Sequence, residues 1–460
     1  MIDIKHQEYF KKLLGEENAY FDELHLHAYS YDATRKKILP SGVLFPKNTQ
    51  EVSNILKYCN QNLIKIVPRG AGSGFTGGSL SNGGIILAFE KYMNKILEID
   101  TQNLVAVVEP GVINSHLNEA LKEHGLFYPP DPASLDYSTL GGNVAENSGG
   151  MKATKYGITK DYVMALEAVL PNGDIVNFGK RTIKDVAGYN MVGTLIASEG
   201  TLAVITKITL KIIAKPKLSK TALGVFDSVD DAMNAVFKTL ASGVVPVSME
   251  FLDNLCIRAV EERFKKGLPV DAGALLIADV DGNVPEALEH DIAILKESFM
   301  KNGAKDFIIA KDETQRNDIW FARRNCSQAI NCYGSLKLNE DITVPRSKLT
   351  ELLRKNYEIG EKYGVLVPCF GHTGDGNVHT NVMVKDKNDP VQVENGYKAI
   401  EEIFKATVEL GGTLSGEHGI GIAKAPFMHL AFSKEELAIM KAIKNAFDPN
   451  NILNPDKMGI

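Results

Sequence analysis

The sequence predicts an α+β fold in two main domains followed by a helical tail, and three observations lead there. Its 460 residues exceed what one ordinary hydrophobic core organises, so two or three domains are expected. Turn residues crowd the first half, whereas from about residue 225 helix-like and strand-like segments alternate more regularly. Between these regions, the stretch Ala214-Lys-Pro-Lys-Leu-Ser-Lys220 is short, basic and interrupted by proline, as expected of a linker after the strand-like run Leu202–Ile213. The expected organisation is a first domain over 1–215 with its core at about 38–215, a second over 216–425 and a tail over 426–460.

A hydrophobic share of 44% suits a packed globular protein, and 51 Lys+Arg against 57 Asp+Glu give a net charge of -6 with no long single-sign block. Nucleic acid is therefore not an expected partner. The opening MIDIKHQEYFKKLL lacks the basic-then-apolar order of a secretory signal and reads as an ordinary helix. The longest apolar stretches, such as Gly273–Val280 and Ile205–Ala214, fall short of the roughly 20 residues that span a bilayer. Cys59, Cys256, Cys326, Cys332 and Cys369 are scattered and form no C-x-x-C pair, so buried free thiols in a reducing compartment are expected rather than disulfides or an iron–sulfur site. Cys326 and Cys332 could be imagined as a redox pair, but the same expectation covers them. The cytoplasm, with peripheral attachment to the inner face of the membrane as a variant, is the expected location.

In the second domain DSVDDAMNAVFKTLAS and VPEALEHDIAILKESFMKNG carry helical periodicity, while ALLIADVDG and KDFIIA read as strands. The tail segment SKEELAIMKAIKNAF opens on Ser433-x-x-Glu436, a capping box, and stops before Asp448-Pro449.

Three glycine-rich segments stand out in the first domain. Pro68-Arg-Gly-Ala-Gly-Ser-Gly-Phe-Thr-Gly-Gly78 follows the strand-like run Ile64–Val67 and contains G-x-G-x-x-G at Gly72, Gly74 and Gly77. A dinucleotide site of the usual kind needs a helix next. Gly78, Gly83 and Gly84 forbid one, and an apolar strand, Ile85–Phe89, follows instead. The glycines therefore read as an inter-strand loop whose N–H groups can cradle a diphosphate; alone, the loop reads equally as a flexible turn. The second cluster is Tyr128-Pro-Pro-Asp-Pro-Ala133 with Ser138-Thr-Leu-Gly-Gly-Asn-Val-Ala-Glu-Asn-Ser-Gly-Gly150, whose small residues let backbone approach a flat ligand. The third is Asp185-Val-Ala-Gly-Tyr-Asn190 with Ser198-Glu-Gly-Thr201, leading into the strand Leu202–Thr209.

In this order the segments resemble the FAD-binding domain of the vanillyl-alcohol oxidase (PCMH-type) flavoproteins over roughly residues 38–215. The resemblance implies a PCMH-type FAD-binding domain followed by an α+β FAD-linked oxidase C-terminal domain. It implies that the first loop holds the FAD pyrophosphate through Gly70, Gly72, Ser73, Gly74 and Thr76, with Arg69, Ala71 and Gly77 as further cofactor contacts. Pro129, Asp131, Ser138, Thr139, Gly142, Asn143, Ser148 and Gly149 fall where the family lines the isoalloxazine and ribityl chain; Tyr156, Gly157, Glu199, Gly200 and Ile205 are further implied cofactor contacts. Some members attach FAD through a histidine in the pyrophosphate loop. Residues 70–79 contain none, and Phe75 stands amid that loop, so non-covalent FAD is expected.

Farther along, Val365-Leu-Val-Pro-Cys-Phe-Gly-His-Thr-Gly-Asp-Gly-Asn-Val-His-Thr-Asn-Val-Met-Val384 reads as two strands joined by an Asp-Gly turn, with His372 and His379 flanking it. Val378, Val382 and Val384 share one face of the second strand, which puts His379 and Asn381 together on the other. Glu417-His418 sits in Ser415-Gly-Glu-His-Gly-Ile-Gly421, after a helix ended by Gly411 and Gly412. Two imidazoles and a carboxylate, His372, His379 and Glu417, leave open positions on Zn²⁺, Mn²⁺ or Fe²⁺, the arrangement of a catalytic metal. GHTGDGNVH and SGEHGIG resemble the paired signatures of the D-lactate dehydrogenase, glycolate oxidase catalytic-subunit and D-2-hydroxyglutarate dehydrogenase group. That resemblance implies the same three metal ligands and His418 as the base. It implies an FAD-dependent (S)/(R)-2-hydroxy-acid dehydrogenase acting on CH–OH donors, with metal-assisted deprotonation and hydride transfer to flavin N5.

Trp320-Phe-Ala-Arg-Arg-Asn-Cys-Ser327 reads as helical, so Arg323 and Ser327 share a face. The family places a substrate-carboxylate arginine here, implying Arg323, with Ser327, Lys337 and Asn381 as further substrate contacts. This chain is one residue longer than some relatives before Asp341-Ile-Thr-Val-Pro345, which shifts the register at Lys337. The closing Asp448-Pro-Asn-Asn-Ile-Leu-Asn-Pro455 resembles the tail that returns to the flavin, implying Asn454. The resemblance also implies an electron-accepting partner (an iron–sulfur subunit, an electron-transfer flavoprotein or a quinone) and allows a homodimer. Two alternatives stay open: a flavin subunit that only relays electrons within a complex, and a sugar or aromatic-alcohol oxidase on the same flavin domain.

Overall fold

A computed structural model describes residues 2–34 and 36–460. The chain divides into two compact units: Met1–Gly149, Ile158–Lys215 and Glu417–Ile460 form the first, and Gly150–Gly157 and Pro216–Gly416 the second. Residues 417–425, expected with the second domain, cluster with the first. The physical reason is local: the carboxylate of Glu199 and the carbonyl of Thr76 accept the N–H groups of Ile420, Gly421, Ile422 and Ala423.

The first unit holds a four-stranded sheet in the order Ala19–Tyr20, Gly42–Leu44, Ile85–Ala88, Ile66–Arg69. Its last three strands are parallel. The helix Thr49–Asn62 connects two of them, started by the Asn48 side chain accepting Glu51 N–H and ended by Leu63 in the left-handed region at φ 55. Val52, Ile55, Leu56 and Cys59 on that helix bury against Ile66, Ile85 and Leu87. Ile85–Ala88 is buried throughout, as a parallel strand covered on both faces should be. The glycine loop between Ile66–Arg69 and Ile85–Ala88 contains no helix among the described residues, in keeping with Gly78, Gly83 and Gly84.

A five-stranded antiparallel sheet follows, ordered Ile96–Asp100, Val105–Val108, Val204–Lys211, Val163–Val169, Ile175–Gly179. Against it packs a helix the sequence did not announce, Leu140–Glu146. Its two glycines disguised it. Thr139 caps it by accepting Gly142 N–H, and Asn147 ends it at φ 54. The tail helix Lys434–Phe447 carries the Ser433/Glu436 capping box. Beyond it the chain lies beside Ile66, whose N–H donates to Ile452 O and whose carbonyl accepts from Asn454 N–H.

The second unit is built on a seven-stranded antiparallel sheet: Ala304–Ile309, Leu218–Phe226, Ala274–Gly282, Ser248–Asp253, Cys369–His372, Asn377–Val384, Leu336–Thr343. The first of the expected helices is Val229–Ala241, capped by Ser228; the second is Pro285–Lys301. Leu218–Phe226 begins inside the expected linker, because Leu218 already pairs with Gly282. Leu252, Cys256, Ile277, Trp320, Cys326 and Phe370 share one core. All five cysteines are free; Cys332 is exposed, contrary to the expectation of buried thiols, while the other four are buried. Among the described residues, no helix is long and apolar enough to cross a membrane.

Candidate functional site

The hairpin Cys369–His372 and Asn377–Val384 occupies the interior of the seven-stranded sheet and is buried along both strands. Its turn is tight because Gly376 adopts φ 93 and a Cβ there would fall 2.2 Å from Val344 O. Asp375 Oδ1 accepts the N–H of Asn377. Strand pairing sets His379 opposite Phe370 and Asp341. His372 and His379 are both buried, with their Nε2 atoms 3.4 Å apart.

His372 Nδ1 lies 2.7 Å from Glu250 Oε1, and Arg323 Nε donates to Glu250 Oε2 at 2.6 Å. Glu250 is wholly inaccessible. Burial pushes its carboxyl up, but the charges of His372 and Arg323 and their hydrogen bonds outweigh that and hold it below the ordinary range. Glu250 takes the proton of His372 Nδ1, so Nε2 is the nitrogen that faces His379 and, in the neutral imidazole, carries the lone pair a cation would take. Two nitrogens bound to one tetrahedral ion at roughly 2.05 Å each would lie about 3.3 Å apart. The observed separation therefore fits a shared cation; an N–H···N hydrogen bond spans the same distance.

Asp341, also fully buried, organises the approach to the second signature. Its Oδ1 accepts from Asn377 Nδ2, and its Oδ2 accepts from Ser415 Oγ and Gly416 N. Gly416 has no room for a side chain: a Cβ would sit 2.3 Å from Asn377 Nδ2 and 2.4 Å from Thr343 Oγ1. Asp341 is the register partner of His379, and Glu417 is the next residue after Gly416 in the chain. Asp253 fixes the hairpin's other end by accepting the N–H groups of Cys256 and Cys369 and the Tyr357 hydroxyl. Burial pushes its carboxyl up to about 6.

That shift carries a pH signature. A carboxyl whose folded pKa stands above its unfolded value of about 3.9 contributes stability that is complete below that value and is lost as pH rises through about 6. The stability difference between wild type and Asp253→Asn, whose amide does not titrate, is expected to shrink by about 2–3 kcal/mol between pH 4 and pH 7. Urea unfolding across that range measures it; a pH-independent difference would contradict it.

The remaining substrate-side residues are engaged with protein. Lys337 Nζ donates to Ser327 O and Oγ. Asn381 Nδ2 donates to Pro368 O and His379 O, while its Oδ1 accepts from Asn339. Arg323 and Ser327 lie on the helix Glu313–Ala329. Beyond its bond to Glu250, Arg323 covers the Phe370 ring at 4.9 Å.

In the first unit, His418 Nε2 stands 3.9 Å from Glu417 Oε1, and the His418 ring stacks on Phe75 at 5.1 Å between centroids. Thr76 Oγ1 donates to His418 O, so this side chain is engaged with the loop that carries His418. Gly149 packs on Glu417, with an added Cβ 3.1 Å from Oε2. Arg69 is buried and donates to Tyr31 O and Ser79 O. Gly70, Gly72 and Gly77 have no space for a Cβ, which would fall 2.0 Å from Thr139 Oγ1, 2.1 Å from Arg69 and 2.5 Å from Ile422 respectively. Gly74 is open, its nearest neighbour being Glu146 Oε1 at 3.9 Å. Ser138 Oγ and Asn143 Nδ2 are buried with no partner among the described residues, so polar atoms are held ready for a ligand in the segment expected to line FAD.

Asn454, at φ 40, donates to Gly78 O and Glu199 O, binding the tail to the glycine loop. Ile205 lies on Val204–Lys211 at a register shift. Tyr156 and Gly157 belong to the second unit, where the Tyr156 hydroxyl donates to Asp281 Oδ2. Sequence reasoning missed Glu250 and Asp341. The available signal for Glu250 was an acid between two apolar neighbours, Met249 and Phe251, on a strand whose period of two sets it beside Ser248 and Leu252.

Comparison with known proteins identifies the family. The profile of the FAD linked oxidases, C-terminal domain, matches residues 215–458. That of an FAD binding domain matches residues 40–179. The chain is 41% identical to glycolate oxidase subunit GlcD of Bacillus subtilis, over 99% of this chain and 96% of that protein. It is 34% identical to D-lactate dehydrogenase of Anaerostipes hadrus, over 98% and 96%. Among solved structures, p-cresol methylhydroxylase with substrate bound superposes at a TM-score of 0.83 with 19% identity, covering 99% of this chain and 96% of that one; this is a likeness of fold. The matched domains and the full-length relatives lead to one conclusion: the chain belongs to the FAD-linked oxidases of the vanillyl-alcohol oxidase (PCMH-type) superfamily.

Proposed function

We propose that this protein oxidises a small D-2-hydroxy acid, glycolate or D-lactate, to the 2-oxo acid. The observation that carries the proposal is the convergence of His372 and His379 at 3.4 Å, with Glu250 fixing the tautomer of His372. The names of two relatives, a glycolate oxidase subunit and a D-lactate dehydrogenase, support the substrate class.

His372, His379 and Glu417 would hold a divalent cation, which supplies a Lewis acid for the substrate carboxylate and hydroxyl when bound. FAD, held without a covalent link by the glycine loop and the segment around Ser138 and Asn143, supplies the hydride acceptor when bound. The chain's own residues do the rest. His418 takes the hydroxyl proton at its ring nitrogen. Arg323 has spent Nε on Glu250, so its two terminal nitrogens are the donors for a planar carboxylate. Phe75 covers the His418 ring and limits its rotation. The word subunit in the name of the B. subtilis relative supports an electron-accepting partner protein.

The test is anaerobic addition of a panel of D- and L-2-hydroxy acids to the purified flavoprotein. Glycolate or D-lactate should bleach the flavin absorbance and L-lactate should not; silence across the panel would sink the proposal. Metal analysis should find a divalent ion stoichiometric with the chain. Its removal by a chelator should abolish bleaching by the acid while leaving the oxidised flavin spectrum in place.

A further inference from the structure

We infer that Glu199 is a positioning residue for His418, acting through the backbone of Ile420 and Gly421; this rests on the assignment of His418 as the base. Residues 415–421 contain neither helix nor strand, so their backbone N–H groups depend on side chains and neighbouring loops. Glu199 Oε1 accepts the N–H of Ile420 at 2.7 Å and Oε2 accepts that of Gly421 at 2.8 Å. A carboxylate gripping two successive amides fixes the two peptide planes that meet at Ile420 Cα, two residues from His418.

Glu199 is itself held in place. Its φ is 51, with Ala197 at 60 and Gly200 at 66. A left-handed conformation at a residue with a long side chain costs roughly 1 kcal/mol or more and persists only where surrounding contacts impose it. Here the carbonyl of Glu199 accepts from Asn454 Nδ2 at 2.6 Å, and its N–H donates to Ala145 O at 3.0 Å. The result turns the carboxylate of this buried residue toward the loop.

Glu146 closes the other side. A Cβ on Gly419 would lie 1.8 Å from Glu146 Oε2, and one on Gly78 would lie 2.9 Å from Glu146 Oε1 and 3.3 Å from Glu199 Oε2. Two carboxyls are thus packed around the glycine that follows His418. Burial and the charge of Glu199 push the Glu146 carboxyl well up. Burial raises the Glu199 carboxyl too, but its two amide donors offset part of that, so of the two Glu146 holds its proton more firmly. Thr76 supplies the third tether, to His418 O. Sequence similarity had placed Glu199 among cofactor contacts; its carboxylate is occupied by the loop that carries the base.

The test is Glu199→Gln. Glutamine keeps the volume but sets an NH2 group against one of the two amide donors. A displaced base slows chemistry without loosening the substrate, so kcat should fall about 10- to 100-fold with KM for the hydroxy acid nearly unchanged. Amide hydrogen exchange in a peptide spanning residues 418–424 should accelerate, and FAD content should stay at the wild-type level. Glu199→Asp, which keeps the charge but is one methylene too short, carries the same readouts if the glutamine variant does not fold. A wild-type kcat, or a fall in kcat with unchanged exchange over 418–424, would overturn the inference. His418→Gln is measured in parallel: if it turns over normally, the assignment of the base fails, whereas exchange in Glu199→Gln still reports whether Glu199 holds the loop.

Discussion

Glu250→Ala is expected to destabilise the second unit by roughly 3–5 kcal/mol, the loss typical when one member of a buried ion pair is removed. Glu250 has no solvent access, and its two oxygens are taken by Arg323 Nε and His372 Nδ1. Deleting the carboxylate leaves a buried guanidinium with no counter-charge and no acceptor for Nε. It also frees His372 to place its proton on either ring nitrogen, which removes the reason for its Nε2 lone pair to face His379. Two separable effects follow. The urea midpoint should drop with an unchanged m-value, and divalent-ion affinity should fall about 10- to 100-fold, as for loss of a residue that orients a metal-bound histidine. Glu250→Gln should keep more of the stability, since its amide oxygen still accepts one of the two bonds, yet lose affinity in the same way. Stability of the alanine variant within 1 kcal/mol of wild type, a fraction of the loss argued here, would show that the Arg323–Glu250–His372 chain carries little free energy.

Much of this is legible in the amino-acid sequence alone. The two histidines and Glu417 stand in motifs whose glycines announce turns, and the hairpin followed from Val378, Val382 and Val384 on one face with Asp375-Gly376 at the bend. The inter-strand glycine loop was legible because Gly78, Gly83 and Gly84 argue against a helix. The partners of those residues were not legible. Glu250 is separated from His372 by 122 residues and Asp341 from Ser415 by 74, and nothing local marks such pairs. The helix Leu140–Glu146 was hidden by Gly141 and Gly142, low in helix propensity, because burial of Leu140 and Val144 and the Thr139 cap override it. Glu199 was read for its neighbours, Ser198 and Gly200, rather than its own side chain, whose partners lie more than 200 positions downstream. Arg323 illustrates the intermediate case: its helix was predictable, while its bond to Glu250 was not.

His418→Gln is expected to slow flavin bleaching by the best hydroxy acid about 10²- to 10⁴-fold, the usual contribution of a general base. Glutamine is close to histidine in size but cannot accept and hold the substrate proton. The loop that carries position 418 is secured through main-chain atoms: Thr76 bonds the carbonyl of residue 418, and Glu199 bonds the N–H groups of Ile420 and Gly421. None of these bonds uses the imidazole, so FAD content, the unfolding midpoint and the metal content of the variant should match wild type. That separation makes the measurement decisive, because a slow variant with an intact cofactor complement has lost a chemical group and not its architecture. Phe75→Ala provides the counterpart: it removes the ring stacked on His418 while leaving the base in place, and should cost far less than loss of the imidazole. Stopped-flow bleaching at saturating substrate reads both variants. A His418→Gln rate within tenfold of wild type would remove the base from the mechanism and leave proton removal to another group.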